Sequence, residues 1–224
     1  MTILDRPAVT QTLQRGSDAL GLTLEAGTIA ALLDYLTLLL KWNAVYNLTA
    51  VREPQQMVTQ HLLDSLAIVS AFATAENVLD VGAGGGLPGM VLAIWARQTH
   101  PAMQVAMVDT VHKKTAFLTQ AKAELGLRNV TVYTSRVEQL QVPLPFDVIT
   151  SRAFAELADF VNWSGHLLAG RGSFIAMKGV VPHDEIARLP SVWAVNEIRP
   201  LRVPGMDAER NLIFIQRSTA ASSD

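Results

Sequence analysis

Cysteine is absent from this chain of 224 residues. Its absence excludes a disulfide framework, a thiolate metal site and the cysteine nucleophile with which some enzymes attack C5 of pyrimidines. Charged residues are also few, at 17%, whereas 50% of the residues are hydrophobic. This composition argues against disorder, and the net charge of −2 argues against tight, indiscriminate binding of nucleic acid.

Signals for secretion and membrane insertion are missing as well. Residues 1–7 contain no cationic segment followed by an apolar core, and no apolar run approaches the ~18 residues that a membrane span requires. We therefore predict a cytoplasmic protein with no membrane partner. His61 and Asp64 lie three apart on one helix face, and with Ser65 they are suited to a polar site or a capping cluster. A lone histidine among apolar neighbours is more often a core residue. No other histidine or acidic group has metal-ligand spacing, so we predict no metal site.

Helical patterns occupy residues 1–72. Apolar side chains recur at helical spacing over Thr23–Lys41, and a second helical pattern runs from about Glu53 to Phe72. A polar-aromatic stretch, Trp42–Ala50, separates the two and breaks the helical pattern. We predict that residues 1–72 form a helical extension that packs on the rest of the protein.

Strand and helix patterns alternate from Asn77 onward, which implies a parallel sheet with right-handed crossovers. The predicted strands are 77–81, 104–109, 130–134, 146–150 and 173–178, and the predicted helices are 88–98, 112–125, 155–168 and 183–188. Two extended runs at 192–203 and 211–217 are suited to an antiparallel pair at one sheet edge. We therefore predict an α/β, Rossmann-like fold with a seven-stranded, mostly parallel sheet, a core domain at 73–217 and a frayed tail at 218–224.

A glycine loop follows the first predicted strand. Its spacing is Asp-x-Gly-x-Gly-x-Gly, through Asp80, Gly82, Gly84 and Gly86. A dinucleotide-binding loop has glycine at the first, third and sixth positions, but the sixth position from Gly82 is Leu87. The spacing resembles the first motif of methyltransferases that use S-adenosyl-L-methionine (AdoMet). A loop that only turns a strand into a helix is the weaker interpretation.

Two acidic residues follow the next strands at the same predicted sheet edge. Asp109 ends the second strand, where nucleotide-binding α/β folds place an acid for ribose hydroxyls. The alternative is an N-cap for the helix at His112, and the pairing with the glycine loop favours the ribose role. Glu138 follows the third strand, either beside an adenine or as a surface charge, and position alone favours neither.

The segment Ser151-Arg152-Ala153-Phe154 follows the fourth strand, where reacting groups gather in open parallel sheets. Methyltransferases that act on exocyclic amines of bases commonly carry Asn/Asp-Pro-Pro-aromatic at this place, so that class is disfavoured. Arg152 can bind a phosphate or the O6/N7 edge of guanine. The alternative is a surface ion pair with Asp147 or Glu156.

Cations also lie at the predicted strand ends: Lys113 and Lys114 after the second strand, Arg136 after the third and Lys178 at the end of the fifth. Arg210 lies in the loop before the last strand. Any one of them alone reads as a solvated charge. Gathered on one rim around a methyl-donor pocket, the five would form a basic patch on a mildly acidic protein. Such a patch predicts an RNA or DNA partner.

Several segments occur together in the order and at the intervals of one family. They are Lys41-Trp42-Asn43, Tyr46–Arg52, His61–Ser65, Asp80–Gly89, Ser135–Glu138, Ser151–Phe154 and Lys178-Gly179. On these segments nearly the whole chain resembles the ribosomal RNA small-subunit methyltransferase G family, formerly the glucose-inhibited division protein B family. The resemblance implies a bacterial enzyme that methylates N7 of one guanine, position 527 in the 530 loop of 16S ribosomal RNA. Loss of that enzyme gives low-level streptomycin resistance.

The resemblance and the strand-end positions together assign roles. The predicted AdoMet-binding residues are Gly82, Gly84, Gly86, Leu87, Asp109, Val137, Glu138 and Arg152. The predicted RNA-binding residues are Asn43, Asn47, His61, Lys113, Lys114, Arg136, Lys178 and Arg210. Arg152 and Lys178 are the candidates for positioning the reacting groups, and Tyr46 is predicted to anchor the N-terminal helices. The predicted partner is 16S ribosomal RNA in the small subunit or an assembly intermediate, bound by a monomer.

The implied chemistry needs few catalytic groups. Guanine N7 carries an in-plane lone pair, so its methylation requires alignment and exclusion of water but no general base. Relatives often have a bulkier residue at Gly85, and glycine there predicts a more flexible loop. Two other function classes remain open, a methyltransferase acting on a small molecule or protein and a non-catalytic AdoMet-binding RNA module.

Overall fold

The computed structural model describes residues 4–218. Most of the predicted frayed tail lies outside the described residues, and Ser218 itself donates a backbone hydrogen bond of 2.9 Å to Val192 O. The strands are β1 (Asn77–Val81), β2 (Gln104–Asp109), β3 (Val130–Thr134), β4 (Phe146–Arg152), β5 (Leu168–Lys178), β6 (Trp193–Leu201) and β7 (Arg210–Arg217). The helices are α1 (Arg6–Ala19), α2 (Ala26–Tyr46), α3 (Pro54–Met57), α4 (Asp64–Leu66), α5 (Gly89–Thr99), α6 (His112–Glu124), α7 (Leu157–Ser164) and α8 (His183–Ala187).

The seven strands form one sheet in the order β3-β2-β1-β4-β5-β7-β6. The first five are parallel, and β7 pairs antiparallel with both β5 and β6. The strand order reverses between β1 and β4, where open α/β sheets bind ligands beyond the carboxyl ends of their strands. The predicted mostly parallel sheet with an antiparallel edge pair is therefore what the chain forms.

Apolar side chains cover both faces of the sheet. Strand β1 has Val78 and Leu79 fully buried on opposite faces, as expected for a strand with helices on each side. One face packs on α5, α6 and the N-terminal helices, which share a single continuous core with it. The other face packs on α7 and its neighbours. The N-terminal helical extension thus contributes to the same core that positions the strand ends.

Helix α2 extends past the predicted end at Lys41 to Tyr46 and stops at Asn47, which has the left-handed φ of 50°. The prediction that Trp42 already breaks the helix is wrong. The Trp42 ring packs 5.6 Å from the ring of Phe117 on α6, and the Asn43 side chain is buried. These tertiary contacts stabilise the added helical turn, which local propensity did not favour.

The predicted helix from Glu53 to Phe72 is divided into shorter pieces. Helix α3 is capped by Glu53, whose carboxylate accepts from the N–H groups of Gln55 and Gln56. A π-helical turn, Val58–Leu63, then leads into α4, and a 3₁₀ turn follows at Val69–Phe72. Single π-turns often mark functional positions.

Helix α2 is the one described helix that is long and apolar enough, by length and composition, to cross a membrane. Of its most apolar window, 44% is buried inside the fold. Leu32, Leu36 and Leu39 are fully buried in the shared core. In this fold α2 is therefore a core helix, and the prediction that no apolar run approaches the length of a membrane span is wrong for α2 by length and composition.

Candidate functional site

Two adjoining cavities open at the carboxyl ends of β1, β2 and β4. The larger cavity, about 640 Å³, is lined by His61, Asp64, the glycine loop, Arg152, Lys178 and Arg210. The smaller cavity, about 430 Å³, is lined by Asp109, Val137, Glu138, Phe154 and Trp163. Gly82, Lys114 and Ala153 line both cavities, so the glycine loop separates two halves of one site.

The glycine loop adopts a conformation that only glycine reaches without strain. Gly82, Gly84 and Gly86 have φ of 68°, 56° and 88°. A Cβ at Gly82 would lie 2.4 Å from Phe154 Cδ2, whereas a Cβ at Gly84 would meet nothing closer than Gly82 O at 3.8 Å. The loop is therefore packed closely on one side and open on the side that faces the larger cavity. Such a cradle lets a ligand lie directly against backbone.

Two buried acids hold the loop in place. The Asp80 carboxylate accepts from Gly89 N at 2.9 Å, at the start of α5. The Asp109 carboxylate accepts from Gly84 N at 3.0 Å and from Val111 N at 2.9 Å. The N-cap position of α6 is Val111, so Asp109 is not the predicted alternative N-cap. It joins the loop to the end of β2 at the wall of the smaller cavity.

Gly85 does not have a positive φ, and its carbonyl accepts a hydrogen bond of 2.5 Å from the buried Tyr35 hydroxyl on α2. This bond restrains the loop at the position where the sequence predicted added flexibility. A Cβ at Gly85 would lie 3.2 Å from Leu39 Cδ1, so a larger residue there requires only a small shift of that side chain. The N-terminal extension thus shapes the loop through Tyr35.

The smaller cavity has an aromatic wall that sequence reasoning did not assign. Phe154 and Trp163 meet edge to face with ring centroids 5.8 Å apart, and Trp163 is 36% exposed. Val137 and Glu138 line the same cavity. Ala153 has the left-handed φ of 55° and directs the chain from β4 into this wall. The motif at 151–154 was the available signal for Phe154, but only tertiary packing brings Trp163 beside it.

Two hydrogen bonds act on the Glu138 carboxyl. A hydrogen bond from its own backbone N–H and one from the Arg136 guanidinium lower the pKa of its carboxyl below the ordinary value. Arg136 and Glu138 form an ion pair of 2.9 Å. Glu138 is partly exposed and also lines the smaller cavity, and its place beside an adenine stays a prediction.

Arg152 lies in the larger cavity and does not form either of the predicted surface ion pairs. Its Nη1 donates to Asp64 Oδ2 at 3.2 Å and to Gln60 O at 3.1 Å. Asp147 instead accepts from the backbone of Glu76 and Asn77 at the opposite end of the sheet. The position of Arg152 beside the loop agrees with a ligand-binding role.

The structure brings four of the five cations of the predicted basic rim to the two cavities. Lys114, Arg136, Lys178 and Arg210 line one or both cavities, whereas Lys113 is exposed and lines neither. Each of the four lies beside a carboxylate, in the pairs Lys114–Asp109 (3.5 Å), Arg136–Glu138 (2.9 Å), Lys178–Glu185 (2.8 Å) and Arg210–Asp64 (3.0 Å). The four cations are therefore held by carboxylates, which orient their N–H donors. The positive field that they produce together is weaker than that of four unpaired cations.

The three predicted RNA-binding residues of the N-terminal extension occupy different environments. Asn43 is buried, and its amide accepts from Thr49 N at 2.9 Å and donates to Val51 O, so it supports the loop after α2 and is not available to RNA. Asn47 is exposed and accepts from Arg52 at 2.7 Å. His61 is buried in the wall of the larger cavity and shares a hydrogen bond of 2.8 Å with Thr49.

Burial shifts two titratable groups of the site in opposite directions. Burial raises the pKa of Asp80 to about 7, against the hydrogen bond from Gly89 N–H and the charge of Arg152. Burial, reinforced by Arg152, lowers the pKa of His61 to about 4. Between these two values both side chains are uncharged, so the charge of the larger cavity comes from Asp64 and from the cations Lys114, Arg152, Lys178 and Arg210.

These shifts predict opposite pH dependences for two variants. Between about pH 4 and 6.5 the unfolded chain protonates His61 and the folded protein does not, so this contribution to stability is lost as the pH falls. Between 3.8 and about 7 the folded protein retains a proton on Asp80 that the unfolded chain releases, so this contribution is lost as the pH rises. The stability of His61→Gln relative to wild type should therefore fall as the pH rises, and the relative stability of Asp80→Asn should rise. Each change should be at most about 1.4 kcal/mol per pH unit. Urea unfolding of wild type and both variants across this pH range measures the two effects. Curves of stability against pH that run parallel for all three proteins would contradict the pKa shifts.

Among residues 4–218, no group of three or more histidine or acidic side chains could hold a metal ion. The site therefore offers hydrogen-bond donors, an aromatic wall and an open glycine loop as its binding groups.

Comparison with known sequences identifies close relatives. The GidB family model, described as rRNA small subunit methyltransferase G, matches residues 28–213. The chain is 68% identical to the Ribosomal RNA small subunit methyltransferase G of Herminiimonas arsenicoxydans, over 97% of this chain and 100% of that protein. It is 52% identical to the protein of the same name from Aromatoleum aromaticum, over 92% of this chain and 98% of that protein.

Solved structures share the fold at low sequence identity. A putative O-methyltransferase from Klebsiella pneumoniae matches with a TM-score of 0.54 and 15% identity, covering 82% of this chain and 90% of that one. An O-methyltransferase from neocarzinostatin biosynthesis, solved with S-adenosylmethionine, matches with a TM-score of 0.53 and 14% identity, covering 68% of this chain and 52% of that one. These likenesses show the fold, and they confirm the predicted Rossmann-like α/β class.

Proposed function

The chain belongs to the rRNA small subunit methyltransferase G family, and we propose that it transfers a methyl group from AdoMet to N7 of a guanine in 16S ribosomal RNA. The family resemblance and AdoMet as cofactor, both predicted from the sequence, agree with this membership. We propose three points beyond family membership. The methylated atom is N7, the substrate is the small ribosomal subunit, and the protein acts as a monomer in the cytoplasm.

The main support for this proposal is that the site is divided at Gly82 into an aromatic-walled cavity and a cation-lined cavity. The smaller cavity suits an adenosine, with Asp109 for the ribose hydroxyls and with Phe154 and Trp163 beside the base. The open face of Gly84 lets the methionine portion lie on the loop and reach the larger cavity. The remaining volume of the larger cavity, with Arg152 and Lys178, is then available to the substrate base.

The donor, when bound, would supply the methyl group of its sulfonium: the N7 lone pair would bond to the methyl carbon while the carbon–sulfur bond breaks, and the neutral thioether would leave with that electron pair. The protein has no proton to remove in this step, because N7 carries none. His61 is consistent with a reaction that needs no general base. Its low pKa and its hydrogen bond to Thr49 make it a poor proton acceptor for the guanine ring. The side chains are left to align the base, to hold the donor and to exclude water.

The pairing of the cations bears on the form of the substrate. Four directed, carboxylate-paired cations give specific contacts but little long-range attraction for a flexible polyanion. This supports a structured ribonucleoprotein, the small subunit or an assembly intermediate, in preference to naked RNA. We further propose that Arg136, Lys178 and Arg210 contact this RNA.

The test is transfer of a labelled methyl group from AdoMet to small subunits from cells that lack this protein. Borohydride and aniline cleave RNA at N7-methylguanine, so a single new cleavage in the 530 loop is expected. Label on another atom or another RNA would overturn the substrate assignment. Labelling of a small molecule or a protein alone would favour the other class of methyltransferase.

The aromatic wall gives a separate prediction about the donor. If Trp163 lies against the adenine, AdoMet should quench tryptophan fluorescence, and Trp163→Ala should weaken AdoMet binding about tenfold, as base stacking on an aromatic side chain is worth ~1–3 kcal/mol. Trp193→Phe is the control, since Trp193 packs under Arg217 away from both cavities. Quenching that persists in Trp163→Ala and disappears in the control would contradict the placement.

A further inference from the structure

Asp64 connects the two arginines of the larger cavity. Its side chain is 2% exposed, and each carboxylate oxygen receives a different guanidinium. Oδ2 accepts from Arg152 Nη1 at 3.2 Å, and Oδ1 accepts from Arg210 Nε at 3.0 Å. One buried carboxylate therefore determines the position of two cations.

The three residues come from elements far apart in the chain. Asp64 begins α4 after the π-helical turn, Arg152 ends β4, and Arg210 begins β7. Arg152 is also held by Gln60 O at 3.1 Å, and Arg210 by Glu209 O at 2.8 Å. The N-terminal extension thereby connects a parallel strand end to the antiparallel edge of the sheet.

The hydrogen bonds leave donors for ligands. Arg152 uses Nη1 for both of its bonds, so Nε and Nη2 have no partner among the described residues, and the same holds for Nη2 of Arg210. The triad carries a net charge of +1, because one carboxylate is shared by two guanidiniums. A buried, paired carboxylate holds arginine side chains in one rotamer and so lowers the entropy lost when they bind a ligand.

We propose that Asp64 is a positioning residue that orients Arg152 toward the methyl donor and Arg210 toward the RNA. The RNA half rests on the proposed function, whereas the donor half does not. The carboxylate acts by fixing the two guanidiniums, because both of its oxygens are occupied by them. Loss of its charge should consequently impair the binding of both ligands at once.

The central variant is Asp64→Asn, which preserves the size of the side chain and removes its charge. We expect its Kd for S-adenosylhomocysteine, measured by calorimetry, to rise about tenfold, and its KM for small subunits to rise by a similar factor, as expected for one charged hydrogen bond. Asp34→Asn is the matched control, because Asp34 forms an ion pair of 2.8 Å with Arg6 at the surface. The control should change neither constant.

A double-mutant cycle separates positioning from a structural role. Arg210→Gln alone should raise the KM for small subunits and leave the Kd for S-adenosylhomocysteine unchanged. In the Asp64→Asn background the same substitution should add little, because Arg210 is already released. Additive effects on KM, or an Asp64→Asn protein with a lowered Tm and both constants unchanged, would overturn the proposal.

A measurement on the wild-type protein applies if Asp64→Asn does not fold. The Nε–H resonance of Arg210, assigned with Arg210→Gln in ¹⁵N-labelled protein, should be protected from exchange and should move when S-adenosylhomocysteine binds. A resonance that exchanges freely and does not respond would overturn the proposal. If wild-type protein binds S-adenosylhomocysteine but methylates no ribosomal RNA, the proposed function fails, and the Kd of Asp64→Asn still decides the donor half.

Discussion

Asp109→Ala is expected to weaken AdoMet binding about a hundredfold, through loss of a buried hydrogen-bond acceptor and of the proposed charged hydrogen bond to the ribose. Asp109 is 6% exposed and accepts from Gly84 N at 3.0 Å. Its removal leaves that N–H unsatisfied, releases the open part of the glycine loop and separates Lys114 from its carboxylate. Calorimetric titration with AdoMet or S-adenosylhomocysteine measures the effect.

Asp147→Ala is the matched control. Asp147 Oδ2 accepts from the N–H groups of Glu76 and Asn77 at 2.9 Å and 2.8 Å, so it supports β1 in a comparable way at the opposite end of the strand. The control should lower the Tm and leave the Kd for AdoMet within about twofold of wild type. If both variants lose stability equally and neither loses affinity, Asp109 has only a structural role.

Gly82→Ala is expected to abolish measurable AdoMet binding, a loss of more than about a hundredfold. The added Cβ would lie 2.4 Å from Phe154 Cδ2, and the backbone has a φ of 68° that L side chains rarely adopt. Relief of the contact requires Phe154 to move, and Phe154 forms the wall of the smaller cavity together with Trp163. The substitution therefore distorts both halves of the site at their junction.

Gly126→Ala separates backbone strain from the steric contact. Gly126 follows α6 with a φ of 62°, and a Cβ there would meet no atom within 4 Å. Both variants should lose stability by about 1 kcal/mol from the left-handed backbone, as measured by urea unfolding. AdoMet affinity should be unchanged in Gly126→Ala, and binding retained by Gly82→Ala would contradict the proposed position of the donor.

The strands that border the site were predictable from the sequence. Strands β1, β2 and β3 begin and end at the predicted residues, because buried parallel strands are short apolar runs bounded by turn residues. The last helical turn of α2 and the division of the segment after Glu53 were not predictable. The first depends on Trp42 packing against Phe117, and in the second the Gln60 carbonyl accepts a hydrogen bond from Arg152.

The glycine loop, Asp109 and the position of Arg152 at a strand end can be read from the residue pattern, because each follows from spacing within one strand–turn–helix unit. The contacts of those residues depend on the packing of the whole chain. Tyr35 binds the loop at Gly85, Trp163 meets Phe154, and Asp64 joins Arg152 to Arg210. These partners lie on separate elements, and no local pattern encodes a pairing across the sheet. The physical reason is that backbone conformation is largely a short-range property, whereas the pairing of buried charges and rings is fixed only when the core closes.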